Sequence, residues 1–155
     1  MRRSDREITD RARIEEFIAG EKILRVAFYD AGDIYIVPVN YGYSTEGGRY
    51  TFYFHGASAG RKYELAKMEP TVGFEIDGAY RLLEADSACD FSAKFMSVIG
   101  TGRLRLLTGK TEKTAALDLL MKQNTGRSGW DYDEKMLEAT AVYELAAEKL
   151  SCKAK

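Results

Sequence analysis

Runs of β-forming residues follow one another through short turns, and this succession most constrains what the chain can fold into. Ile23 to Tyr29 reads as a strand, Asp30-Ala31-Gly32-Asp33 as a turn, and Ile34 to Tyr43 as a second strand. Thr45-Glu46-Gly47-Gly48 then turns into the aromatic run Tyr50-Thr51-Phe52-Tyr53-Phe54. Thr71 to Asp77 alternates, with Val72, Phe74 and Ile76 on one face and Gly73, Glu75 and Asp77 on the other. Gly78 to Ser92 is irregular. Phe95 to Leu107 is a long strand in which Gly100 and Gly102 predict a bulge, a bend or a close backbone approach, and Ala139 to Leu145 reads as the last strand.

Three helices fit around these strands. Asp10 can cap the first, whose apolar positions Ile14, Phe17 and Ile18 fall at helical spacing before Gly20 ends it. The second starts at Arg61-Lys62 and is ended by Pro70. The third, Lys110 to Lys122, is amphipathic around Ala116, Leu117, Leu120 and Met121, and the loop Asn124 to Asp133 after it holds the only tryptophan, Trp130. About six strands without βαβ alternation, and with no glycine-rich phosphate loop, argue against a doubly wound sheet. The prediction is a mainly β fold with peripheral α, a small antiparallel barrel.

A length of 155 residues suits one domain, 1–155, able to bury a core without staples. The formal net charge of −1 gives no general attraction to nucleic acid or to a membrane surface, so any anion site has to be local. Cys89 and Cys152 stand far apart in no metal or redox spacing, and a single histidine cannot build a histidine-rich metal centre. The N-terminal stretch Met1 to Glu7 is charged and no apolar run follows it; no segment approaches the ~20 residues of a membrane span. A soluble cytoplasmic domain without a bound metal is expected.

Four local patterns could carry chemistry. At Gly60-Arg61-Lys62 two cations open a helix, where the dipole disfavours them; a bound phosphate would reverse the sign, while a solvated helix start explains the same residues without one. Val37-Pro38-Val39-Asn40 puts a proline inside a strand, which leaves backbone groups free for a planar heterocycle or protects an edge strand. His55, between the aromatic strand and the cations, could move a proton, contact a ligand, or cap its loop. Ser97-Val98-Ile99-Gly100 sets a hydroxyl on a strand whose glycines remove bulk, for a flat ligand or for a barrel corner. Trp130 could stack on a ligand or a partner, or cover core edge.

Taken in order, Ile36-Val37-Pro38-Val39-Asn40-Tyr41-Gly42-Tyr43, then Tyr53-Phe54-His55-Gly56-Ala57 with Gly60-Arg61-Lys62, then Ser97-Val98-Ile99-Gly100-Thr101-Gly102, resemble the FMN-binding split-barrel proteins related to pyridoxamine 5′-phosphate oxidase. The nearest branch looks like the nitroimidazole-resistance, or Nim-like, type, across roughly residues 10–150. The resemblance implies an antiparallel six-stranded split β-barrel and a homodimer binding FMN at the subunit interface. It implies that Arg61 and Lys62, with Gly60, hold the FMN phosphate. Val37, Pro38, Val39 and Asn40 would run along the isoalloxazine ring, Ser97 and Val98 would meet the ring or ribityl chain, and His55 would sit near the flavin as the catalytic candidate. The loop His55 to Gly60 differs from the vitamin-making oxidases, and their C-terminal Trp/Arg substrate signature is missing. The implied activity is therefore an FMN-dependent oxidoreductase acting on small electron acceptors such as nitroaromatics. The alternatives are a non-catalytic FMN carrier or sensor dimer, or a split-barrel redox protein using deazaflavin or haem.

Overall fold

The alternation seen at Thr71 to Asp77 organises the whole sheet in the computed structural model, which describes residues 4–155; the start of the charged N-terminal stretch, Met1 to Arg3, lies outside the described residues. The chain runs β1(Glu7–Ile8), α1(Arg11–Gly20), β2(Ile23–Asp30), β3(Asp33–Asn40), β4(Gly42–Glu46), β5(Arg49–Ala57), α2(Arg61–Ala66), β6(Thr71–Leu83), β7(Ser92–Leu107), α3(Lys110–Thr125), α4(Glu134–Ala139) and β8(Thr140–Ala154). All pairings are antiparallel, in the order β3-β2-β6-β7-β8-β5-β4, with β1 added beside β8. The two end strands, β3 and β4, are joined only through Tyr41, so the sheet curls on itself and stays open between them.

The eight described strands exceed the six expected, and the differences have local causes. The run Ile34 to Tyr43 is two strands, because the chain changes partner at Tyr41: β3 pairs with β2 and β4 with β5. Tyr41 turns fully inward at that break, and its hydroxyl donates to Ile18 O at 2.6 Å. The stretch Gly78 to Ser92 is less irregular than expected. β6 continues to Leu83 across a register shift between Gly78 and Arg81, with Ala79 at φ 52°. The last strand, expected over Ala139 to Leu145, runs on to Ala154 because β7 and β1 supply partners beyond β5. The bulge expected at Gly100 and Gly102 is present as a register shift against β8 between Thr101 and Gly102.

Val26, Phe28, Phe52, Phe54, Val72, Phe74, Ile76, Val98, Leu104 and Leu145 line the interior, closed at one end by Ile14, Phe17 and Ile18 of α1. Asp10 caps α1 as expected, its Oδ1 accepting from Ala12 N at 3.0 Å. The far end of α1 is tied to α3: Gln123 Nε2 donates to Ile18 O, Ala19 O and Glu21 O at 2.8, 3.0 and 2.9 Å. Those carbonyls have no partner inside the helix, so the amide replaces water there. α4 was not expected; it fills the gap between the loop ending at Asp133 and the last strand, and Asp133 caps it, accepting from Met136 N at 3.1 Å. Among the described residues no helix is long and apolar enough to cross a membrane.

Candidate functional site

β3 is the outer edge strand that Pro38 calls for. Among the described residues it pairs only with β2, Pro38 opposite Arg25, so the backbone groups on its far side face no described strand. Pro38 and Asn40 are exposed, while Val39 is buried and Val37 packs partly on the core. The Asn40 amide donates to Lys22 O at 3.1 Å. Ser97, half-buried, lies opposite Asp77 and faces outward; the Val98 side chain is fully buried, leaving only its backbone for any ligand.

At the other end of β3 lie the cations. Gly60 enters α2 at φ 93°, a conformation that suits glycine. α2 is six residues long and stops at Ala66, short of Pro70, because the chain reverses at Glu69 with φ 47°. The dipole of so short a helix says little, and Arg61 has explicit partners. Its Nε donates to Asp30 Oδ2 at 2.7 Å and its Nη2 to Asp33 Oδ2 at 2.9 Å, while the guanidinium lies 4.7 Å from the centre of the Tyr35 ring. The Arg61 hydrogen bond and the Ile34 backbone N–H lower the Asp33 carboxyl below its ordinary value. The cation that looked misplaced by spacing is thus balanced by the β2–β3 turn. That turn had been read only as a turn; its two carboxylates, with neither a helix to cap nor a cation nearby in sequence, were the available signal.

Lys62 points elsewhere. It is half-buried, with its ammonium 5.1 Å from the Tyr143 ring centre and 5.7 Å from that of Phe54, two rings stacked at 4.9 Å. No carboxylate pairs with it among the described residues, and burial lowers its pKa. Gly56 makes room for it: a Cβ there would stand 2.7 Å from Lys62 Nζ. Beneath, the Tyr143 hydroxyl is buried without a hydrogen-bond partner among the described residues, and burial raises its pKa to about 12.

His55 was expected in a loop, but it is a strand residue, opposite Val142 in the β5–β8 ladder. Pairing continues through Ala57, which fixes the imidazole beside Lys62 rather than on a mobile turn. The ring borders solvent on one side; its packed side and the Lys62 ammonium together lower its pKa, so it is neutral at pH 7. Trp130 is held by its own loop. Asp118 Oδ1 accepts from Gly129 N and Trp130 N, Trp130 Nε1 donates to Arg127 O at 3.1 Å, and the Arg127 guanidinium covers the ring.

From Tyr35, under Arg61, to Asn40 is five residues of strand, about 17 Å at ~3.3 Å per residue. One edge therefore carries the Arg61 guanidinium at one end, with Lys62 next to it in sequence, and free backbone groups with an amide at the other. That donor set fits a phosphate joined through a polar chain to a planar heterocycle. Alongside it, on the outer face of the sheet, a shallow groove of about 320 Å³ is lined by Ala27, Ile36, Gly73 and Ile99, with the two isoleucines 58% and 50% exposed. Arg25 at its rim is paired with Glu75 and Asp77. The described residues hold no cluster of His, Cys, Asp and Glu able to bind a metal ion.

A curled antiparallel sheet, open between its end strands and closed at one end by a helix, places the chain in the split β-barrel class. The model of the pyridoxamine 5′-phosphate oxidase family matches residues 10–154, and the chain belongs to that family. Among solved structures it is similar to a candidate 5-nitroimidazole antibiotic resistance protein from Bacteroides thetaiotaomicron, at 25% identity and TM-score 0.82, covering 96% of this chain and 86% of the other. It is also similar to the flavocytochrome Anf3 from Azotobacter vinelandii (24% identity, TM-score 0.80, 100% and 72% covered). A third is a protein of Mycobacterium smegmatis described as binding FAD and haem (18%, 0.81, 97% and 73%). At those two identities the likeness is one of fold. No curated protein matches the chain.

Proposed function

We propose that the chain is an FMN-binding redox protein that works as a homodimer and passes electrons to a small acceptor such as a nitroaromatic compound. The observation that carries the reading is the β3 edge, with Arg61 at one end, Asn40 at the other, and no strand on its outer side among the described residues. Two relatives described as a flavocytochrome and as an FAD- and haem-binding protein, and a third described as a 5-nitroimidazole antibiotic resistance protein, support it. When bound, the flavin supplies the electron-accepting and electron-donating chemistry.

In this reading the chain's own residues bind and orient. Lys62, free of any carboxylate, and Arg61 hold the phosphate through charge-assisted hydrogen bonds. The outward backbone groups of Val37 to Asn40 pair with the ring edge, and the Ser97 hydroxyl and Val98 backbone flank it from β7. His55, neutral at pH 7, offers one N–H and one lone pair near the cations. Ile34, Ile36 and Ile99 leave an apolar outer face that a second copy of the chain would cover, closing the groove from water.

The test is the absorption spectrum of the purified protein with mass identification of the released cofactor, followed by anaerobic reduction with NAD(P)H and reoxidation by a nitroaromatic. Flavin bands and acceptor-dependent reoxidation are expected. Colourless protein that takes up no FMN on titration refutes the reading; bound flavin that neither pyridine nucleotide reduces leaves a carrier or sensor. Mass identification also separates FMN from FAD or haem.

A further inference from the structure

The β2–β3 turn does more than reverse the chain. Asp30 ends β2 and Asp33 begins β3, and their carboxylates occupy the Nε and Nη2 positions of Arg61, the edge through which a guanidinium grips an oxyanion with two parallel bonds. A phosphate approaching Arg61 thus meets a cation already engaged by two anions. The pairs are open to water: the Arg61 side chain is 43% exposed and that of Asp33 69%. Pairs so exposed are weak and screened by salt, and can be exchanged. Tyr35 lies under the face of the guanidinium rather than its edge, 4.7 Å away, so it can hold Arg61 in place whichever anion takes the edge.

We propose that Asp30 and Asp33 set the affinity of the site for phosphorylated flavins by competing with the flavin phosphate for Arg61. This rests on the assignment of a flavin phosphate to Arg61 and Lys62. The acidic turn then acts as a brake. It leaves the flavin exchangeable at an edge that would otherwise hold it more tightly, and it acts only on ligands that carry the phosphate.

The experiment titrates the full chain and its Asp30→Asn, Asp33→Asn double variant with FMN and with riboflavin, which lacks the phosphate, following quenching of flavin fluorescence. FMN should bind the double variant about 3- to 10-fold more tightly, the range expected for removing two exposed charges beside the site, while riboflavin binding stays the same. Unchanged or weaker FMN binding overturns the proposal and gives the aspartates a purely positioning role. If the double variant does not fold, Asp33→Asn alone, at the more exposed carboxylate, is read the same way with a smaller gain. A wild-type chain that does not distinguish FMN from riboflavin, and an Arg61→Ala variant that changes neither, refute the phosphate assignment itself and the brake with it.

Discussion

Lys62→Met separates what the ammonium does for the fold from what it does for a ligand. Methionine keeps the apolar stem that packs beside Gly56 and Tyr143 and removes the charge with its donor N–H groups. The ammonium's contribution to the fold rests on the two ring contacts at 5.1 and 5.7 Å, about 0.5–1 kcal/mol at a half-buried site, and on a long, weak hydrogen bond that its Nζ donates to His55 O at 3.5 Å. Removing a charge that burial already disfavours offsets part of that loss. For a protein of this size the melting temperature should therefore fall by no more than about 4 °C. A charge-assisted hydrogen bond to a phosphate contributes about 1.5–3 kcal/mol, and partial exposure favours the lower half of that range. At about 1.5–2 kcal/mol, FMN binding should weaken roughly 10- to 30-fold. Differential scanning fluorimetry without ligand reads the first quantity, and paired titrations with FMN and riboflavin read the second. An FMN affinity within twofold of wild type, or an equal loss for riboflavin, shows that Lys62 touches no phosphate.

Two further outcomes follow from particular contacts. Gly42→Ala drives a Cβ to 2.4 Å from the backbone of Leu119 and Leu120 in α3, where no side chain can swing away. Its cost should be about 3 kcal/mol or more, read as a fall of roughly 6–12 °C in melting temperature, and a loss under about 2 °C contradicts this packing. His55 has a pKa below the ordinary value of about 6.5, so the unfolded chain takes up a proton before the folded one as pH falls. Stability should thus be level above about pH 7 and decline as pH drops through 6.5 toward the folded pKa. Urea midpoints from pH 5.5 to 7.5 should show this slope in wild type and a flatter one in His55→Gln; identical slopes remove the assignment.

The strands were legible where burial on one face imposes alternation, as at Val72, Phe74 and Ile76, and the caps at Asp10 and the edge role of Pro38 were legible from backbone chemistry alone. What escaped depends on partners distant in sequence. The C-terminal half of β8 shows no strong alternation of its own and is a strand because β7 and β1 lie beside it. Arg61 looked uncompensated because its carboxylates are about thirty residues away. His55 looked like a loop residue because a glycine follows it, yet Val142 holds it in register. The candidate site followed the same rule: its components were readable, and the pairing that decides their charge balance was not.

β8 pairs with β1, β5 and β7, so during synthesis none of those pairings can form until residues 140–154 have left the ribosome. Until then β5, among the most aromatic strands of the chain, and one side of β7 wait with unpaired edges. Contacts this distant in sequence make folding slow, and they expose hydrogen-bonding edges while the chain is incomplete. A premature stop before Thr140 would remove the pairing partner from both halves of the sheet at once.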